Sequence, residues 1–205
     1  MTMRSAPLLG FLFLLAVCSA HAQPPDSSFR IPGLEPTVES TEAPDGIAGK
    51  KAPPLALTNW INLPEGQTRL DIPDFKGKYV VMLFFQHWCQ ASQKEAFPTL
   101  QTLIKQFEGE KGVAFLAVQT AFEGFTTNSE DKLLVNAKEF GLKIPMGHSP
   151  KLPGVYSVSL GYNTGGTPWW VIVTPDGVVE YNGHYLNPEE AEKNLRNLLA
   201  GKPVE

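Results

Sequence analysis

The chain has 205 residues, two cysteines and a formal net charge of -4, with 42% hydrophobic and 19% charged residues. That make-up is enough for one globular domain with a sizeable core, plus tails. The acidic balance and the lack of any Lys/Arg-rich run exclude a nucleic-acid surface, which would need a basic face.

In chain order, residues 1–22 stand apart from the rest. Arg4 gives a positive start, Pro7 to Cys18 is a short apolar run, and Ala20-His21-Ala22 has the small-x-small pattern of a cleavage site. Residues 1–22 therefore read as a signal peptide, with export to a periplasm or secretion expected. The run falls short of the roughly 20 residues a bilayer span needs, so no membrane span is expected. Leu15-Ala16-Val17-Cys18 allows a minor second reading, a lipoprotein signal with Cys18 lipidated. Val17 departs from it, because a small residue is wanted just before the cysteine, and the ordinary apolar run is preferred. Residues 23–50 are rich in Pro, Ser, Glu, Asp and Gly without periodicity, which reads as a flexible linker.

The domain is expected over residues 51–205. Ala52 to Leu57, with two prolines, suggests an extended edge segment. Thr68 to Ile72 alternates like a short strand, and Asp74 to Lys78 reads as a turn. Tyr79 to Phe85 is an unbroken apolar run of buried-strand length. From Ser92 the pattern turns helical, with Leu100, Leu103, Ile104 and Phe107 on one face, an end near Gly109, and Pro98 as an expected kink. Val113 to Val118 is a second apolar strand, and Glu130 to Phe140 a helix stopped by Gly141. Trp169 to Val173 and Val178 to Tyr181, joined by Pro175-Asp176-Gly177, form a hairpin. Trp169 and Trp170 are expected to be one inward and one outward position of that strand. Asn187 caps a last helix that has Pro188 at its first position. The order β-α-β-α-β-β-α implies a mixed sheet with helices on both faces, an α/β domain.

Chemistry concentrates at Trp88-Cys89-Gln90-Ala91-Ser92, between the first apolar strand and the helix. A cysteine there meets free backbone N–H groups and the positive end of the helix dipole, which stabilise a thiolate. Once the leader is removed, Cys89 is the only cysteine, so no internal disulfide can form. A lone cysteine is otherwise often buried and inert.

Several stretches together carry a resemblance. They are Lys76-Gly77-Lys78-Tyr79-Val80-Val81, Trp88-Cys89, Glu95, Tyr156-Ser157-Val158, Gly166-Thr167-Pro168 and Thr174-Pro175-Asp176-Gly177. Over about residues 51–200 the chain resembles the TlpA/ResA branch of exported thioredoxin-like proteins. The resemblance implies a thioredoxin fold with a cis Pro168 packed against Cys89, and Thr167 offering backbone groups to an extended substrate. It also makes Glu95 a buried proton relay to Cys89, with a solvated helix-face carboxylate the equal alternative; Trp88 itself reads as a packing and groove residue. The segment between Val158 and Gly166 is longer than is usual in that branch and either lines a groove beside Pro168 or is a surface loop.

The chain departs from that pattern at Ser92, which stands where the family's second cysteine belongs. Cys89 can attack a disulfide, and the Ser92 hydroxyl can donate to its thiolate, but Ser92 cannot clear the resulting mixed disulfide. A protein thiol or disulfide, or a small thiol, is then the expected resolving partner of a monomer that needs no cofactor. Two other readings stay open: a redox-inactive module that binds proteins through the same groove, and a single-cysteine peroxidase. Peroxiredoxins carry Pro seven and Thr three residues before the cysteine, where this chain has Met82 and Gln86. Metal binding by Cys89 with His87 or His184 is a minor reading beside polar turn histidines, and no metal is expected. His148 is expected on a surface loop.

Overall fold

The computed structural model describes residues 45–149 and 157–202. Its strands are β1 (Thr58–Ile61), β2 (Tyr79–Phe85), β3 (Val113–Thr120), β4 (Met146–Ser149), β5 (Trp169–Val173) and β6 (Val179–Gly183). Its helices are α1 (Phe97–Gln106), α2 (Lys132–Glu139), the short α3 (Val158–Gly161) and α4 (Pro188–Leu199). They form one six-stranded sheet in the order β1-β4-β3-β2-β5-β6. The central β2 pairs in parallel with β3 and antiparallel with β5, and β3 pairs in parallel with β4. Antiparallel β6 and β1 close the two edges. This is the mixed sheet that a thioredoxin fold requires.

β2 is apolar throughout because both of its faces are covered. Val81, Leu83 and Phe85 look into a core shared with α1, α2 and α4. Val80, Met82 and Phe84 look the other way, onto Leu55, Leu57, Phe75 and Tyr162. Helices were expected on both faces. One face carries the three long helices, whereas the other is covered mostly by the N-terminal section and α3. Trp169 and Trp170 do point to opposite faces, but both are buried, so neither is an outward position.

Several local expectations are corrected. Thr68 to Ile72 forms no strand. Asp71 instead caps a 3₁₀ turn over Ile72–Phe75, accepting from the Ile72 amide at 2.8 Å while Asp74 Oδ2 accepts from the Asp71 amide, a reciprocal capping box. The edge strand lies at Thr58–Ile61, just after the proline-containing segment. Residues 45–50, expected as the end of the linker, are held to the domain: Ile47 is buried, and the Gly49 amide donates to the Val179 carbonyl at 2.8 Å. The stretch after Val158 is partly exposed, at Leu160, Asn163 and Gly165, and is anchored by one residue. Tyr162 is fully buried against Phe84, with ring centroids 5.3 Å apart, and its hydroxyl donates to the Pro53 carbonyl. The other calls for residues 1–44 and for Tyr156, the signal peptide and Cys18 included, lie outside the described residues.

Pro98 does not break its helix. The residues before it, Ser92–Ala96, form a wide π turn in which the Phe97 amide donates to the Ser92 carbonyl, and α1 follows with Pro98 in its first turn. The extra residue in that turn takes up the missing donor and the ring's clash with the preceding turn. At the other end of the chain, Asn187 Oδ1 accepts from the Glu189 and Glu190 amides at 3.0 Å, so the capping residue read from the sequence is the one that caps α4.

Candidate active site

β2 ends at Phe85, and a tight turn follows, closed by the Cys89 amide donating to the Gln86 carbonyl at 3.0 Å. The helical stretch then begins, so Cys89 sits at its N-terminus at the C-terminal end of the sheet's central strand. Across from it, the Thr167–Pro168 bond is cis, and the Cys89 thiol donates to the Thr167 carbonyl at 3.3 Å. Residues 78 positions apart are thereby in contact. Pro168 is buried and Thr167 half-buried. Trp88 is exposed and lies over Gly124, where a Cβ would come within 2.7 Å of the indole Nε1. Glycine is therefore required at 124 for this approach, and Phe125 beside it is also exposed.

Cys89 is 9% exposed as a residue and counts as buried. Burial is the largest single influence on the thiol and pushes its pKa up. The Ser92 hydroxyl, the Ser92 amide, the Thr167 side chain and the Ala91 amide pull it down, and together they outweigh burial, so the thiol is more acidic than an ordinary cysteine. Ser92 is fully buried, and its Oγ has no partner that meets hydrogen-bond geometry while the sulfur is protonated. A hydroxyl rotates readily, and an anionic sulfur beside it would attract its proton. Ser92→Ala is expected to raise the thiol pKa, because it removes the hydroxyl that helps pull it down. Alkylation rate followed against pH would show this shift, and an unmoved midpoint would exclude the Ser92 hydroxyl from the thiolate's environment.

Glu95 is exposed on the helix. Its carboxylate stays in water rather than buried beside the thiol, because the helical turn points it away from the sheet. The histidines of the site are committed elsewhere. His87 Nδ1–H donates to Asn136 Oδ1 at 3.1 Å, and the His87 amide donates to Asn128 Oδ1 at 2.7 Å. His184 Nδ1–H donates to the Pro168 carbonyl at 2.9 Å and packs edge-on against Trp169. Among the described residues, no three His, Cys, Asp or Glu side chains gather where they could hold a metal ion. His148 lies within β4 and is buried, not on a surface loop, and Gln119 Nε2 is 3.3 Å from its Nδ1. Burial pushes its pKa below the ordinary histidine value, and the Glu130 carboxylate offsets part of that shift.

Sequence reasoning missed the polar frame behind the cysteine. Asn136 is fully buried on α2 and accepts from Gln93 Nε2 at 3.0 Å as well as from His87, fastening α2 to the start of the active-site helix. Gln86 and Asn128 are equally buried. The only hint of them in the sequence is a polar residue directly after an apolar strand, at Gln86.

A family model, the AhpC/TSA family, matches residues 48–182. The chain belongs to the AhpC/TSA family. Thiol-disulfide oxidoreductase ResA of Bacillus thuringiensis and that of Bacillus anthracis are each 31% identical to it over 153 residues, covering 73% of this chain and 78% of theirs. A thioredoxin-like superfamily protein of known structure is 25% identical, with a TM-score of 0.67 over 76% of this chain and 99% of its own. A thiol-disulfide isomerase from Corynebacterium glutamicum, 24% identical, has a TM-score of 0.63 over 73% of this chain and 97% of its own, and shares the fold. Within the AhpC/TSA family, this member thus resembles proteins named for thiol–disulfide chemistry.

Proposed function

We propose that this AhpC/TSA-family chain is an exported thiol–disulfide exchange protein in which Cys89 is the sole nucleophile and an external thiol completes each cycle. The observation that carries this reading is the Cys89 sulfur 3.3 Å from the Thr167 carbonyl, with its thiol made more acidic despite burial. Relatives named ResA support the chemistry, and the leader-like residues 1–22 support export.

In the first step the Cys89 thiolate attacks one sulfur of a disulfide. The old S–S bond breaks, a mixed disulfide forms on Cys89, and the released thiolate takes a proton from water. In the second step a thiolate from the same substrate, another protein or a small thiol attacks that adduct. A new S–S bond forms and Cys89 leaves as thiolate. Electrons are exchanged between partners only, since Ser92 cannot accept the adduct. Isomerisation and removal of small thiols from proteins therefore suit the site, whereas net reduction by this chain alone does not.

A binding module with no chemistry has no use for an acidified thiol, and this favours exchange over that reading. A peroxidase would need a hydroxyl where Gln86 stands; that amide instead contacts Thr167 and Glu123. The test is refolding of a scrambled-disulfide protein with a small thiol present, using wild type and Cys89→Ser. The wild type is expected to speed isomerisation and to give a trappable mixed disulfide, and Cys89→Ser to give neither. Equal rates for the two proteins would refute the proposal.

A further inference from the structure

His148 is buried within β4 and takes no part in the exchange chemistry. It shares the face of Met146, towards α2 and the segment that leads into it. Beside it on β3 is the fully buried Gln119. Gln119 Nε2 lies 2.8 Å from the Ser129 carbonyl, 3.1 Å from the Asn128 carbonyl and 3.3 Å from His148 Nδ1. Two carbonyl oxygens at that end of the side chain require the amide nitrogen there, so Gln119 donates and His148 Nδ1 accepts. Only a neutral ring, with its proton on Nε2, can do so.

The segment that Gln119 holds reaches the active-site turn. Asn128 is fully buried; its Nδ2 donates to the Thr120 carbonyl at 2.5 Å, and its Oδ1 accepts from the His87 amide at 2.7 Å. His87 lies two residues before Cys89. A continuous run of hydrogen bonds therefore joins His148, through Gln119 and Asn128, to the turn that aims the sulfur at the Thr167 carbonyl.

A proton on His148 Nδ1 would set a donor against a donor. Gln119 Oε1, buried without a partner, could accept that proton if the amide turned over. Turning over would aim the oxygen at the Asn128 and Ser129 carbonyls and remove the donor from both. Either arrangement loosens residues 128–129, because buried acceptors are left unpaired. The Glu130 carboxylate, which accepts from Asn59 Nδ2, would also be drawn towards the cation.

We propose that His148 is a positioning residue for the Cys89 turn, acting through Gln119 and Asn128 and holding that turn only while its ring is neutral. The inference rests on the reading of Cys89 as nucleophile and adds a regulation of that site by pH. Burial keeps the ring's pKa below the ordinary histidine value, so the hold is complete at neutral pH and is lost as pH falls through that lowered value. Among the described residues packed around the ring, β1 and β3 carry no titratable side chain. Asp131 and Lys132, entering α2, are paired at 3.3 Å, and Lys138 and Glu139 are exposed at the far end of that helix. Glu130 is the group whose charge acts on the ring.

The test is hydrogen exchange of the His87 amide in the folded full chain, read by NMR against pH while the His148 ring is titrated in the same samples. Wild type should be fully protected near neutral pH and lose about three- to tenfold of that protection, the worth of one hydrogen bond, as His148 titrates. The amides of β2 should keep theirs. His148→Asn offers an acceptor that cannot be protonated, and should hold the His87 amide throughout. The rate of mixed-disulfide formation per thiolate should fall over the same range in wild type and stay level in His148→Asn. Protection at His87 that stays flat, falls together with β2, or falls equally in both proteins would overturn the inference. So would a rate per thiolate that ignores the titration. If His148→Asn fails to fold, wild type decides alone, since the loss must track the His148 ring and not those of His87 or His184. Exchange is read without any disulfide substrate, so a protein that forms no mixed disulfide at all counts against the nucleophile reading, and the two failures can be told apart.

Discussion

Ser92→Cys is expected to turn this chain into a self-sufficient disulfide reductase. Ser92 lies three residues after Cys89, nearly one helical turn on, and is buried beside it. Its hydroxyl makes no fixed bond in the thiol form, so the substitution removes no satisfied partner. A second thiol there would attack the adduct on Cys89 from within the chain. Reduction of a model disulfide protein in the presence of a recycling reductant should rise at least about tenfold, since an intramolecular step replaces a bimolecular one. Double substitution with Cys89→Ser should return the rate to background. A Ser92→Cys variant no faster than wild type would mean that the scaffold no longer admits disulfide substrates, and weight would move to a binding role.

Phe97→Ala should be the most damaging single change in the core beneath the site. Phe97 is fully buried, stacked on Phe140 at 4.3 Å between centroids and edge-on to Phe85 at 4.8 Å. Removing a buried aromatic costs about 3–5 kcal/mol, from lost transfer energy and the cavity left behind. Against a typical total of roughly 5–15 kcal/mol, that is a large share. Urea unfolding should show the unfolding free energy falling by that amount, with a correspondingly lower midpoint. A loss under about 1 kcal/mol would mean that Phe140 and Phe85 collapse onto the gap.

Much of this architecture was legible in the sequence, for a physical reason. Strands buried on both faces must be apolar at every position, so Tyr79–Phe85 and Trp169–Val173 announce themselves as unbroken runs. Asn187-Pro188 marks a helix start through bonds made within three residues. Elements that lack such local signatures were lost. β1 and β4 have four residues each, and β4 holds Gly147, His148 and Ser149, so neither shows a period. Thr68 to Ile72 alternates, yet the Asp71 side chain draws its backbone into a turn and accepts from the Leu55 amide as well. At the site, Trp88-Cys89 and Thr167-Pro168 were readable because they recur as motifs. The contacts of Gln86 with Thr167 and of Asn136 with His87 join residues 81 and 49 positions apart, and nothing in composition or periodicity encodes such pairings.

The π turn at Ser92–Ala96 also has a bearing on chain length. In a regular helix each residue advances the chain by about 100° around the axis. The wide turn accommodates one residue more than an α-helical turn would, between a Phe97 anchored in the core and a Cys89 facing Thr167. Loss of a single residue from that turn would leave the apolar strand, the core face of α1 and the cis-proline loop unaltered in sequence. It would nevertheless swing the sulfur away from its partner by roughly a quarter of a circle. The reactive atom is thus aimed by a residue count as much as by residue identity, and substitution scanning alone would not reveal it.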